Sequence, residues 1–195
     1  MQESIKDGSF SNIINDVIEG GNDFTISNEN ALYQITSSDN QKINKYNNFS
    51  TIDFGECEKT LKGIYGIDST IPLTIFKVEY YNNDSLIPII GYEVYHPIDN
   101  SKLELSYCNN SINLNIPVQI DENKIYQYDP NSDYYVDQCS SYTSDNGTDI
   151  VLYDRKKEYN EQNLSLCEAN CHYQGYEMES KQSKCDCRIK NNLEY

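Results

Sequence analysis

The chain has 195 residues and a formal net charge of −16, because 31 acidic residues outnumber 15 basic ones. This length suits one domain of ordinary core size, or a main domain with a small appendage. A surface this acidic repels nucleic-acid phosphates and anionic lipid, and no stretch approaches the roughly 20 apolar residues of a membrane span. We therefore expect neither nucleic-acid binding nor direct insertion into a membrane.

The first predicted unit, residues 1–48, contains a helix followed by a β-hairpin. Apolar residues recur at helical spacing from Phe10 to Ile18, and two glycines follow them. Residues 37–48 are polar without a period, which predicts a loop. The hairpin is predicted from two strand patterns around a polar turn, at 23–26 and 32–36.

The second predicted unit, residues 49–148, begins with a helix and continues with strands. Asp53 and Glu56 match a capping box, so Asp53 is expected to cap the helix. Four patterns then alternate apolar and polar side chains, which is typical of an antiparallel sheet with one face in water. Short links between them favour a meander whose apolar face the helices cover. The four patterns lie at 76–80, 92–94, 103–107 and 112–118.

The third predicted unit, residues 149–195, has a polar helix at 149–161 and then a cysteine-rich segment. Ser165 and Glu168 match a second capping box, which places Cys167 and Cys171 one helical turn apart on one face. Residues 172–177 and 183–188 are expected to pair as strands. Cys185 and Cys187, two residues apart, then share one strand face.

The expected fold class is therefore α+β. A four-stranded antiparallel sheet would be covered by helices, and a small disulfide-stapled helix–hairpin would follow at the C-terminus. Disulfides at these cysteines imply an oxidising, extracytosolic compartment. The first ten residues lack the basic and apolar regions of a signal peptide, so this location implies that the chain is a processed part of a larger protein.

The seven cysteines leave alternatives open. The C-terminal four could instead hold zinc, although a C-x-C pair in a strand serves a tetrahedral site poorly. Three more remain, Cys57, Cys108 and Cys139, and three is an odd number. We expect one pair among them, with the third cysteine free or bonded to a neighbouring module.

The C-terminal pattern, C-x3-C followed by C-x-C, is similar to the cysteine-stabilised αβ motif of defensin-like miniproteins. The similarity covers residues 167–187 and lacks the third bridge that accompanies this motif. It implies bonds between Cys167 and Cys185 and between Cys171 and Cys187. It carries over no activity.

Five Asn-x-Ser/Thr sequons are candidate N-glycosylation sites in a secreted chain. They fall mainly in predicted turns and loops, where glycans are tolerated. Their asparagines are Asn48, Asn83, Asn109, Asn146 and Asn163.

No cofactor is expected, with calcium as the alternative. Oxygen-bearing side chains at positions 1, 3, 5 and 9 match the first part of an EF-hand-type loop: Asp129, Asn131, Asp133 and Asp137. Tyr134 occupies the position that needs glycine, and Ser140 stands where a bidentate glutamate should be. The competing interpretation is a loop whose side chains bind their own backbone.

Signals for catalysis are weak. The chain has two histidines, and no nucleophile-elbow, metalloprotease, P-loop or dinucleotide-binding motif is present. We therefore expect a protein that is not an enzyme, with a secreted hydrolase as the third alternative. The 18 tyrosines could line a sugar- or protein-binding face, or could pack as amphipathic sheet residues.

Five segments carry a further resemblance, at 48–58, 89–97, 128–135, 144–149 and 166–171. Together they resemble modules of large, uncharacterised protist surface proteins. The resemblance implies part of an ectodomain, often followed by further cysteine-containing units, and assigns no site residue. The expected function is a non-enzymatic structural or adhesion module at the cell surface or outside the cell. Its partners would be modules of the same or neighbouring chains, or glycans; the alternative is a calcium-dependent binding module.

Overall fold

The computed structural model describes residue 5 and residues 8–43, 48–139, 141–144 and 146–190. Its fold is α+β, as predicted, and contains two four-stranded antiparallel sheets. The first sheet has the order β1–β2–β4–β5, formed by Phe24–Ser27, Ala31–Ser37, Thr74–Tyr80 and Ile89–Tyr95. The second has the order β3–β6–β8–β7, formed by Thr51–Asp53, Ile112–Pro117, Gln182–Cys187 and Cys171–Glu177.

Five α-helices accompany the sheets among the described residues. They are α1 (Ser11–Ile18), α2 (Ser38–Ile43), α3 (Glu56–Tyr65), α4 (Asp133–Val136) and α5 (Leu152–Glu161). Two 3₁₀ segments cover Leu105–Tyr107 and Glu122–Gln127. Both sheets combine strands from different predicted units, because β2 pairs with β4 in the first sheet and β8 pairs with β6 in the second.

Three of the four strands of the first sheet, β2, β4 and β5, are buried on both faces. On one face, Phe76 and Val78 of β4 form an apolar cluster with Ile14 of α1. On the other, Ile75 belongs to a larger cluster that includes Leu114 of the second sheet. This larger cluster contains side chains from both sheets and from α3, so it forms the main core of the molecule.

The alternation at 76–80 correctly predicts a strand, but its polar side chains do not face water. Lys77 and Glu79 are 0% and 1% exposed. Their charges lie 2.9 Å apart, and Glu79 also accepts hydrogen bonds from Ser50 and Tyr81. The burial is tolerated because each charge meets an opposite charge or a donor.

The predicted meander is replaced by strand pairing between distant segments. β6 forms where the alternation at 112–118 places it, but it pairs with β3 and β8. The segment 103–107 is not a strand: Lys102 makes one bridge to Tyr95, and a 3₁₀ turn follows. This segment is held against α3 instead, because the Glu104 amide donates to the Tyr65 hydroxyl and Cys108 is bonded to Cys57.

The loop predicted at 37–48 contains the short helix α2, and its residues 44–47 lie outside the described part of the chain. The Ser37 hydroxyl accepts a hydrogen bond from the Asn40 amide, which satisfies a free N–H of the first turn. The Gln41 side-chain oxygen accepts another from the Ile52 amide in β3. The sequence of α2 shows no helical spacing of apolar residues, so the helix depends on hydrogen bonds such as this one to β3.

The capping box predicted at Asp53 does not form. Gly55, with a φ of 49°, takes the capping position before α3, and the Asp53 carboxylate accepts the Gly55 amide instead. Glycine suits this backbone conformation because it has no Cβ to clash. At the other end Gly66 closes the helix in the left-handed conformation.

The helix predicted to start at Ser165 is also absent. Residues 165–170 form turns, and Cys171 opens β7. The Ser165 hydroxyl bonds to Cys167, while the Glu168 carboxylate accepts the Ile90 amide of β5 and pairs with Lys190. A local contact thus occupies Ser165 and tertiary contacts occupy Glu168, so neither side chain caps a helix.

Candidate functional site

Three disulfides join six of the seven cysteines. Cys57 of α3 is bonded to Cys108, across 51 residues of chain. The other two bonds are Cys167–Cys185 and Cys171–Cys187, which close 18 and 16 residues. Because Cys171 and Cys187 are also register partners in β7 and β8, the bond between them is a cross-strand bond.

The two C-terminal disulfides are those implied by the similarity to the cysteine-stabilised αβ motif. The helix of that motif, however, is absent. Cys167 and Cys171 lie in a turn and at a strand start instead of on a helix. With their sulfurs bonded, none of these four cysteines is a thiolate ligand. The described residues also contain no group of three or more Cys, His, Asp or Glu side chains placed to hold a metal ion.

Cys139 is the remaining cysteine, free and exposed. It lies at a cleft of about 400 Å³ whose lining includes Tyr142, Val151, Tyr153 and Arg155. Val151 is 57% exposed and Tyr153 is 75% exposed, so two large apolar side chains stand at the surface beside the thiol. The cleft is formed by the segment after α4 and by the start of α5.

Arg155 is a buried cation at this cleft, only 1% exposed. Its guanidinium donates to the backbone oxygens of Tyr134, at 2.7 Å, and Asp137, at 3.3 Å. It also lies over the rings of Tyr142 and Tyr134, 4.9 and 5.3 Å from their centroids. Its Nε has no hydrogen-bond partner among the described residues.

Sequence reasoning did not find Arg155. It is one of only two arginines in the chain. The available signal was its position just after a segment rich in tyrosine, since arginine stacks readily on aromatic faces. No local spacing rule links a residue at 155 to the backbone oxygens at 134 and 137.

Tyrosines around Arg155 pack against one another instead of forming an open face. Their rings make tilted, stacked and edge-to-face contacts with centroids 4.6 to 5.7 Å apart. Burial raises the pKa of Tyr135 and Tyr159 above the ordinary value. The cluster is therefore a small aromatic core, and its members are Tyr126, Tyr134, Tyr135, Tyr142 and Tyr159.

The proposed calcium ligands make local contacts. The carboxylate of Asp129 accepts the Asn131 amide at 2.9 Å, and that of Asp137 accepts the Cys139 amide at 2.8 Å. Asp133 begins α4. Ser140, the position that an EF-hand gives to glutamate, lies outside the described residues. These contacts match the competing interpretation, in which the side chains of the loop bind their own backbone.

All five sequon asparagines are exposed. Asn163 donates a side-chain hydrogen bond to the Asp84 oxygen at 3.0 Å, which brings two sequons together at one edge of the molecule. Ser50, the hydroxyl residue of the Asn48 sequon, is buried and bonded to Glu79. Use of the Asn48 sequon would therefore have to precede folding of this region.

A second cleft, of about 670 Å³, contains charged side chains that neutralise one another. Its buried Glu58 lies 2.7 Å from the amines of both Lys42 and Lys62. Burial by itself would raise the pKa of Glu58, but hydrogen bonds from Lys42, Lys62 and Ser38 lower it. Glu58 is therefore an ionised structural group.

No family model matches the chain, and no curated protein or solved structure matches it. None of the helices in the described ranges is long and apolar enough to cross a membrane. The three disulfides are therefore the main structural feature that bears on function.

Proposed function

We propose that this chain is a non-enzymatic extracellular module that serves a structural or adhesive role in a larger surface assembly. The observation that carries the proposal is the set of three disulfides in one small α+β body. Disulfides of this kind persist in oxidising compartments and are rare in the cytosol. Candidate glycosylation sites on exposed asparagines agree with the same location.

The mechanism would be rigid presentation of a surface. Each disulfide lowers the conformational entropy of the unfolded chain, and this stabilises the folded state relative to the unfolded state. The acidic exterior keeps the module solvated and prevents nonspecific association with other acidic chains. Partners would be other modules of the same or neighbouring chains, or glycans, and a resemblance to protist surface modules agrees with this role.

The test is a count of thiols in protein secreted by a eukaryotic host. We expect one alkylated cysteine in the native state and seven after reduction, each read as a mass increment by intact-mass spectrometry. Deglycosylation before the measurement reports how many sequons are occupied. Seven alkylated cysteines in native protein would refute the proposal, because the chain would then lack its cross-links.

A further inference from the structure

A cleft of about 380 Å³ lies at the end of the second sheet where β6 begins and β8 ends. One wall comes from the segment 106–111, which leads into β6, and the other comes from Arg188 and Ile189, which follow β8. Although the chain has 31 acidic residues, none of the described residues that line this cleft is acidic. The lining therefore carries a positive charge, unlike the chain as a whole.

Arg188 supplies this charge, and its side chain is exposed. It takes part in none of the ion pairs formed within the described ranges. Its backbone, in contrast, is fixed from both sides. The Arg188 amide donates to the Asn170 backbone oxygen and the Asn170 side chain donates to the Arg188 oxygen, both at 3.2 Å. The guanidinium is thus open to a ligand while its point of attachment is held in place.

Disulfides anchor both walls of the cleft. Cys108 is part of the lining and is bonded to Cys57 of α3. Cys187, directly before Arg188, is bonded to its register partner Cys171. Because covalent bonds already fix these segments, a ligand that binds between them costs little conformational entropy in the protein.

The other polar groups of the lining are hydroxyls and primary amides. They are exposed, and no hydrogen bond within the described ranges engages the side chains of Ser106, Asn109, Asn110 or Ser111. Such groups both donate and accept hydrogen bonds, as the hydroxyl groups of a sugar do. Among the described lining residues only Ile189 is large and apolar, so the cleft offers few of the anchors that hold a peptide.

We propose that this cleft binds an acidic saccharide. Arg188 would pair with the carboxylate of a uronic acid or a similar sugar residue, because two parallel N–H donors of a guanidinium match the two carboxylate oxygens. The amides and hydroxyls would bind the hydroxyl groups of the sugar. Repulsion from acidic groups outside the cleft is screened over about 8 Å at physiological ionic strength. The inference rests on the proposed adhesive function, since it names the class of glycan that the module would hold.

The Asn109 sequon bears on this inference, because Asn109 and Ser111 both line the cleft. A glycan attached to Asn109 would fill the space that the ligand needs. The inference therefore implies that this sequon stays unmodified in secreted protein. Mass spectrometry of the peptide that contains Asn109 measures this, and a glycan found there would overturn the inference.

The binding test uses the full chain with its three disulfides closed, isotopically labelled for NMR and made in a bacterial periplasm so that it carries no glycan. The chain has two arginines, so two arginine Nε–H signals are expected, and Arg188→Lys identifies the one that belongs to Arg188. The acidic probe is a tetrasaccharide of alternating glucuronic acid and N-acetylglucosamine. The neutral probe is the tetramer of N-acetylglucosamine, and acetyl-Ser-Glu-Ser-amide presents a carboxylate without a sugar.

The acidic tetrasaccharide should shift the Arg188 signal and leave unchanged that of Arg155, which is 1% exposed. The neutral tetrasaccharide should bind at least about tenfold more weakly, as expected for the loss of hydrogen bonds to a charged group. The peptide should also bind more weakly, because it lacks the sugar hydroxyls.

Arg188→Met should weaken binding of the acidic tetrasaccharide by at least about tenfold, measured from the backbone signals of residues 106–111. The matched control is Lys184→Met, which removes another exposed cation from the same hairpin and should change the affinity less than about twofold. Asn110→Asp is a second variant, since it places a carboxylate in the cleft without changing the size of the side chain. It should weaken binding even if Arg188→Met fails to fold.

Four results would overturn the inference: no shift of the Arg188 signal, equal binding of the two tetrasaccharides, equal binding of the peptide, or equal losses in Arg188→Met and Lys184→Met. All four are obtained on protein whose three disulfides are closed. A native thiol count of seven would instead refute the proposed function, so the two failures are distinguishable.

Discussion

Lys77 and Glu79 form an ion pair inside the first sheet, where neither side chain reaches water. Burial lowers the pKa of Lys77, although the Glu79 carboxylate opposes this effect. Burial alone would raise the pKa of Glu79, but Lys77 and the donors Ser50 and Tyr81 lower it. Both groups therefore depend on their mutual contact, and the loss of either leaves a buried charge without a counter-charge.

Lys77→Met should lower the free energy of unfolding by roughly 3–5 kcal/mol, the usual cost of breaking one side of a buried ion pair. The loss should be smaller in Lys77→Met/Glu79→Gln, because the neutral amide can still accept from Ser50. Urea denaturation followed by circular dichroism measures both.

The matched control for this prediction is Lys184→Met, which removes a lysine from a partly exposed pair with Glu177. Its effect should stay below about 1 kcal/mol. Equal losses at the two lysines would show that burial of the Lys77–Glu79 pair carries no special cost.

At the scale of elements, Glu58 connects α2 to α3. Its carboxylate, on α3, accepts hydrogen bonds from Ser38 and Lys42 of α2, both at 2.7 Å. The amine of Lys62, one turn further along α3, lies 2.7 Å from the same carboxylate. The three contacts lower the pKa of Glu58 in spite of its burial.

Glu58 should make stability depend on pH in the acidic range. Since its pKa is lower in the folded state, its contribution is complete above the unfolded pKa of about 4.3 and is lost as the pH falls through the folded value. Glu58→Gln should cost about 1–3 kcal/mol at neutral pH and flatten the fall in stability below about pH 5. Thermal melts at several pH values measure this.

Glu56→Gln is the control, because Glu56 is an exposed neighbour whose pair with Lys59 has side chains 65% and 73% exposed. Its pH profile should follow that of the unaltered chain. An unchanged profile for Glu58→Gln as well would contradict the assignment of acid sensitivity to this carboxylate.

Elements that depend on local patterns could be predicted from the sequence. Apolar periodicity located α1 and the strands β4 and β6. The C-terminal disulfide partners were implied by a similarity in cysteine spacing.

What escaped prediction depends on distant partners. Glu168 looked like a helix cap, but the Ile90 amide, 78 residues away in the chain, takes its carboxylate. The polar helix α2 is held by Glu58 and Ile52, and β6 pairs with strands from both sides of the sequence. Arg155 was missed for the same reason, since backbone oxygens about 20 residues earlier hold its guanidinium.

At the scale of the whole molecule, the three disulfides constrain the unfolded chain unequally. The Cys57–Cys108 bond encloses 51 residues, a segment that contains the neighbouring strands β4 and β5 of the first sheet. The other two bonds enclose overlapping segments of 18 and 16 residues at the C-terminus. When one of the overlapping bonds is opened, the other still restricts much of the same segment.

Cys57→Ala/Cys108→Ala should therefore destabilise the protein more than Cys171→Ala/Cys187→Ala. Loop-closure entropy predicts a loss of about 4 kcal/mol for the longer loop, and less than about 3 kcal/mol for the shorter one while its neighbour remains closed. The stability of the two double variants can be measured by urea denaturation without reductant. Both carry Cys139→Ser as well, which prevents exchange of the remaining disulfides with the free thiol. Reduction of the unaltered chain should then lower stability further than either pair of substitutions. If the C-terminal pair cost more than the Cys57–Cys108 pair, loop length would not determine the order, and native contacts near the hairpin would have to carry the difference.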